Sequence, residues 1–155
     1  MLNPGVPQSM RGLHKMIERW RLEGLVLLPP EPASAVRESF GKIGVIPTPD
    51  VISMYSVLGG MQEMDREYWR LWSLAEVGSE NTAGACTGVL FSDYLIGCWS
   101  YRLLPTENDT SAVVADYFDS RKCVRVANSL QEFFDTYAEN PYDVLERTVP
   151  SCGDQ

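Results

Sequence analysis

Two groups of carboxylates lie close enough in this chain to work together: Glu63, Asp65 and Glu67 at alternate positions, and Asp116 with Asp119. Converging carboxylates can hold a divalent cation, or divide acid and base roles when their environments push their pKa values apart. The first group lacks the D-x-D-x-D-G spacing of a calcium loop. Asp116 and Asp119 are an odd number of positions apart, so on one continuous strand they face opposite sides of the sheet. His14 is the sole histidine, which makes a catalytic triad and most zinc geometries depend on that single side chain. Cys86, Cys98, Cys123 and Cys152 form no C-x-x-C pair. Cys98 and Cys123 stand in strand-like runs and read as small buried filler in a reducing compartment, with Cys152 exposed in the tail. Tyr94, Trp99, Tyr101 and Tyr117 could line a small-molecule pocket, but aromatics on a sheet more often fill a core or pair across strands. The residues therefore point to a protein that is not an enzyme, with no metal and no cofactor.

Charge directs attention to a surface. Up to Gln62 the chain has six Lys/Arg against five Asp/Glu, whereas from Glu63 onward it has seven against sixteen. That acidic second part disfavours direct nucleic-acid binding, which needs concentrated positive charge, and favours a basic protein partner. Among apolar stretches the longest, residues 25–28, falls far short of the ~20 needed to cross a bilayer. No basic region followed by an apolar run opens the chain, so a cytoplasmic protein is expected.

The elements that must position these residues follow from periodicity. At 155 residues one core suffices, and domains of this size bury roughly 70% of their unfolded surface. Residues 1–8, with two prolines and a glycine, read as a flexible arm. Ser9 is placed to cap a helix over 10–22 whose stripe is Leu13, Met16, Ile17 and Trp20. A second helix over 33–43 aligns Val36, Phe40 and Ile43, and Gly44 breaks it. Pro47 and Pro49 stiffen the step into a third helix carrying Val51, Met54, Tyr55 and Leu58, which Gly59-Gly60 terminates. Trp69, Leu71 and Leu74 alternate ahead of a short helical turn through Glu76, and 79–87 read as a surface loop. Residues 88–104 form a hairpin: Val89, Leu90 and Phe91, a Ser92-Asp93 turn, then a strand over 94–104 with Trp99, Tyr101 and Leu103 on its apolar face and Ser100 and Arg102 on the other. PTENDT turns the chain into a third strand over 112–118, Asp119-Ser120 turns it again, and a fourth covers 123–126. Ser129 and Glu132 predict a capping box for a closing helix bearing Leu130, Phe133, Phe134 and Tyr137. Helices first, a meander next and a helix last is an α+β order. The whole is one domain over 9–147 with a central, mainly antiparallel sheet packed by N-terminal helices and a C-terminal helix, and 148–155 a frayed tail.

Several of these pieces, in this order, resemble the SUKH superfamily, the Smi/Knr type of domain. They are Trp20 in the first helix, LLPPEPASAVRESFGKIGVIPTPDVISMYSVLGG over 27–60, LWSLAEV over 71–77, FSDYLIGCWSYRL over 91–103 and VRVANSLQEFFDTY over 124–137. The resemblance implies the same α+β fold. It also implies a function in protein binding: bacterial members resemble immunity proteins that neutralise a cognate toxin, and fungal relatives are scaffolding regulators of cell-wall synthesis. The family shares no catalytic constellation, so no active-site residues carry over. Combined with the acidic second part, this yields the expectation of an immunity protein that occludes a toxin with a basic surface, such as a nuclease. A regulatory adaptor and a small-molecule-binding protein are the alternatives. The expected partner-binding residues are those in or beside predicted loops: Glu63, Asp65, Glu67, Glu107, Asp109, Asp116 and Asp119.

Overall fold

The computed structural model describes residues 10–81, 88–95, 99–117 and 123–145. The expected arm and tail, Ser9 as a cap, the Asp119-Ser120 turn and the expectations for Cys86, Cys98 and Cys152 lie outside the described residues. In chain order the elements are α1 (Arg11–Leu22), β1 (Leu27–Leu28), α2 (Ala33–Lys42), α3 (Pro49–Val57), β2 (Gly60–Met61), β3 (Trp69–Leu71), α4 (Leu74–Glu80), β4 (Val89–Tyr94), β5 (Trp99–Pro105), β6 (Ser111–Asp116), β7 (Val124–Ala127), α5 (Leu130–Glu139) and α6 (Tyr142–Leu145). This is a single α+β domain. Strands β3 to β7 form an antiparallel meander in sequence order, and β1 pairs antiparallel with β2 in a separate two-stranded sheet.

The meander has five strands where four are predicted, because β3 joins its edge. The hairpin turn also moves. Ser92 and Asp93 belong to β4, where they pair with Tyr101 and Ser100, and the chain leaves the strand after Tyr94. Their turn propensity is overridden by two indoles. Trp69 Nε1 donates to Ser92 Oγ at 3.1 Å and Trp72 Nε1 donates to Asp93 Oδ1 at 2.8 Å, so both short polar side chains are held inside the sheet as acceptors. Leu95, with φ 51°, takes the left-handed conformation instead.

The two faces of the sheet differ as predicted. Trp99, Tyr101 and Leu103 point into the core, where Tyr101 and Trp69 meet Phe133 of α5 with ring centroids 5.9 and 5.7 Å apart. Ser100 and Arg102 point the other way, and Arg102 Nε donates to Asp116 Oδ2 at 2.6 Å. The aromatics that suggested a pocket are packed against each other: Tyr94 on Trp99 at 4.7 Å and Trp99 on Tyr117 at 5.3 Å, with the Tyr101 hydroxyl accepting from Trp99 Nε1. They are core.

Three local expectations are corrected. Gly59-Gly60 does not terminate α3, which ends at Val57 with extended Leu58 as its cap. Gly60, at φ 140°, opens β2, and a Cβ on Gly59 would stand 2.0 Å from the Pro29 carbonyl oxygen, so both glycines let β2 come up against the β1 segment. Cys123 is exposed rather than buried, since it precedes β7 at the sheet rim. At α5, Ser129 Oγ accepts from Glu132 N as predicted, but Glu132 reaches Asn128 N instead of closing the box on Ser129.

A complete capping box forms at α4, which runs on to Glu80. Ser73 Oγ accepts from Glu76 N at 3.2 Å, Glu76 Oε1 accepts from Ser73 N at 3.0 Å, and Arg70 clamps the same carboxylate at 2.8 Å. Ser73→Ala is expected to destabilise the protein by about 1 kcal/mol, read as a lower urea midpoint at unchanged slope.

Candidate functional site

Residues 65–69 form a loop wound around one buried carboxylate. Asp65 is 4% exposed, and its Oδ1 accepts from Glu67 N at 2.9 Å and Trp69 N at 3.1 Å. Its main chain closes the same turn: Asp65 N donates to Trp69 O at 2.9 Å and Tyr68 N donates to Asp65 O at 2.8 Å. The second carboxylate oxygen fixes the loop to the helices, accepting from Trp20 Nε1 of α1 at 2.8 Å and from the Tyr137 hydroxyl of α5. Trp20, Trp69 and Tyr137 pack together around it, with centroids 5.5 to 6.4 Å apart. Burial raises the Asp65 pKa above the usual carboxylate range, although the hydrogen bonds from Tyr137, Trp69, Trp20 and Glu67 oppose the rise. Burial, and then the Asp65 charge, push the Tyr137 hydroxyl upward too.

So anchored, the loop carries Arg66, Glu67 and Tyr68 outward. Tyr68 is 54% exposed and has φ 66°, a conformation that costs a bulky side chain about 1–2 kcal/mol. Its carbonyl accepts from Leu95 N at 2.9 Å, which ties the loop to the β4 end. Beside the loop runs an open groove of about 570 Å³ lined by Arg19, Leu22 and Glu23 of α1 and its cap, Arg66 and Glu67, and Ala138, Glu139 and Pro141. Leu22 is 89% exposed there, and Tyr142, the residue after Pro141, is 50% exposed. Exposed apolar and aromatic groups with an arginine and a charged rim are the composition of a protein-binding hot spot.

The structure separates the seven carboxylates expected to bind a partner. Glu67 belongs to the loop and is half-buried, and Glu63 is exposed two residues before it. Asp65 is a correction: it lies in the core, because Trp20, Tyr137 and two backbone amides need an acceptor there. Glu107 and Asp109 are exposed in the β5–β6 turn, which Thr110 ties to Asn128, just before α5 begins. They stand at the opposite end of α5 from the groove. Asp116 lies on the sheet paired to Arg102, and Asp119 is outside the described residues. No group of His, Cys, Asp and Glu among the described residues could hold a metal ion.

Sequence reasoning passes over Leu22 and Tyr68. Leu22 had a readable signal: at 3.6 residues per turn it stands roughly 180° from Leu13 and so opposite the apolar stripe of α1. Tyr68 had none, since its exposure depends on how Asp65 winds the loop. Asp50 was read only as a helix start. It is 1% exposed and accepts from Thr48 Oγ1 at 2.6 Å, Ser111 N at 3.1 Å and Leu130 N at 3.2 Å, so it joins the starts of α3, β6 and α5.

Fold and groove together describe an α+β domain with an open groove of mixed apolar and charged lining. No protein-family model matches the chain, and no curated protein matches it in sequence. No helix among the described residues is long and apolar enough to cross a membrane.

Proposed function

We propose that this chain is a non-enzymatic, SUKH-like protein-binding domain that works as an immunity protein, occluding a cognate toxin. The observation that supports binding is the presentation of Tyr68: an exposed aromatic in a strained backbone conformation, on a loop clamped at both ends by buried Asp65 and set beside exposed Leu22. Such strain persists only where the surroundings impose it, and it concentrates at functional surfaces. A pre-organised aromatic also loses little entropy on binding. The resemblance to SUKH immunity proteins and the acidic second part of the chain supply the toxin reading. Expressed with a toxin from the adjacent reading frame, the chain is expected to restore growth and to copurify with it. Failure of both would sink the immunity reading for that pair.

The exposed Leu22, Tyr68 and Tyr142 also favour an adaptor of Smi/Knr type, which would bind through apolar surface. Salt separates the two: an acidic surface steering a basic toxin loses association rate as ionic strength rises, whereas an apolar adaptor contact does not.

Tyr68→Gly tests the loop itself. Glycine relieves the positive φ but adds freedom to the unfolded chain, so the variant is expected to be more stable by about 0.5–1 kcal/mol in urea denaturation. Partner binding is expected to fall in the same variant. Unchanged binding would remove Tyr68 from the contact surface.

A further inference from the structure

We infer that the free edge of β1 receives an extended peptide segment, which pairs with the main chain of Leu27, seats an apolar side chain in the groove beside that edge and sets a carboxylate on Arg21. Among the described residues β1 and β2 form a sheet of two strands, so each is paired on one side. Gln62 N donates to Val26 O at 3.3 Å and Gly59 N to Leu28 O at 3.1 Å, which faces Val26 and Leu28 toward β2. Main-chain groups alternate in direction along a strand, so the N–H and C=O of Leu27 point to the other side, as a closely bonded antiparallel pair requires. Neither neighbour offers a second pairing point: Leu25 N already donates to Trp20 O at 3.1 Å, and Pro29 has no N–H. Pairing confined to one residue fixes the register of the incoming strand.

The groove, about 270 Å³, is lined by Ile17 of α1, Leu27 and Leu28 of β1, and Val57 and Leu58 at the end of α3, with Arg21 as the one charged residue of the lining. Arg21 is exposed, and it makes no ion pair among the described residues. Apolar walls with one unpaired guanidinium select an apolar occupant that carries a carboxylate, and they disfavour one that carries a lysine. Small-molecule pockets run to roughly 300–1,000 Å³, so a groove of this size takes side chains of a longer segment. Strand addition of this kind draws affinity from main-chain bonds and specificity from the side-chain groove. The site is separate from the Tyr68 loop, none of whose residues line it.

The test titrates the full isotope-labelled chain with the acetylated, amidated peptide Thr-Val-Leu-Val-Glu-Thr and with a counterpart in which lysine replaces glutamate. The glutamate peptide is expected to move the amide resonances of Arg21 and residues 25–28 and to slow solvent exchange of the Leu27 amide at least about tenfold at saturation. It is also expected to bind at least about tenfold more tightly than the lysine peptide at low salt, and Arg21→Glu, a change at an exposed position, to invert that preference. Methylation of one peptide nitrogen at a time is expected to weaken binding about tenfold where that N–H donates to Leu27 O, and little at the neighbouring positions. Equal binding of the two peptides, binding of neither at millimolar concentration, an unchanged Leu27 exchange rate, or equal tolerance of methylation at every position would each overturn the assignment. Tyr68→Gly is expected to bind the glutamate peptide as wild type does. Loss of binding in that variant would place the peptide on the loop and overturn the assignment as well.

Discussion

Asp65→Ala is expected to lower the unfolding free energy by about 3–5 kcal/mol, one of the two largest losses among the substitutions considered. The carboxylate accepts from Trp20 Nε1, the Tyr137 hydroxyl, Trp69 N and Glu67 N. Alanine leaves these donors facing one another in a site almost closed to water, Asp65 being 4% exposed, and each buried donor left unmade costs about 1–3 kcal/mol. Asp65→Asn should fall between, at about 1–3 kcal/mol, for a reason that can be traced atom by atom. Its oxygen can keep the two backbone amides and the Tyr137 hydroxyl can turn to accept, but the new amide N–H group faces the indole N–H of Trp20, which is only a donor. Urea denaturation of the three proteins measures the order. An alanine variant as stable as wild type would refute the role given to Asp65.

The same residue sets a pH dependence of a definite sign. Burial holds the folded Asp65 pKa above that of the unfolded chain, so the folded state binds the proton first as pH falls. The stability contributed by this group is present in full below the unfolded value of about 3.9 and is lost as pH rises through the raised folded value. Wild type is therefore expected to gain stability relative to Asp65→Asn as pH is lowered from 7 toward 4. A difference that shrinks over that range would mean that the hydrogen bonds outweigh burial.

Gly12→Ala is the second large effect, and here local and tertiary physics predict opposite signs. In a helix, alanine is favoured over glycine by about 0.8–1 kcal/mol, so α1 alone would be stabilised. In the protein a Cβ on Gly12 would lie 2.5 Å from the backbone of Phe134 and Asp135, atoms of α5 that cannot rotate away. To fit it, α1 must lift off α5. That movement strains the bond from Gly12 N to Asp135 Oδ1, 3.0 Å long, which caps the start of α1 because Met10 offers no side-chain cap. It also loosens Trp20 from Asp65 and Tyr137. Overpacking costs about 1–3 kcal/mol, and with the lost bond the net destabilisation is expected to be about 2–4 kcal/mol. Gly41→Ala is the matched control. An added Cβ there meets nothing within 4 Å on an exposed helical site, so the same substitution should stabilise by about 0.5–1 kcal/mol. Thermal midpoints that move in opposite directions for these two variants would confirm the seam between α1 and α5.

Much of the fold was legible because it rests on local signals. Leu13, Met16, Ile17 and Trp20 are all buried on one side of α1, Val36 and Phe40 on α2, and Leu130, Phe133, Phe134 and Tyr137 on α5, as their spacing requires. Proline before α3 and serine before α5 mark starts whose physics is contained within a few residues. The hairpin turn was misplaced for the complementary reason. Ser92-Asp93 has turn chemistry, but the partners that hold it in a strand, Trp69 and Trp72, are more than twenty residues away.

The candidate site divides along the same line. Sequence alone marked the acidic loop around Glu63 and Glu67, and it determined the α+β order, the helix faces and the uneven charge, because composition and periodicity are properties of neighbours. Only the tertiary structure decided that Asp65 turns inward while Tyr68 turns outward. Those fates depend on Trp20 and Tyr137, which converge on one carboxylate from two helices far apart in the chain. The groove beside the loop was decided there too, since it exists only where the last turn of α1 meets the last turn of α5, two helices whose close approach the absence of a side chain at Gly12 permits.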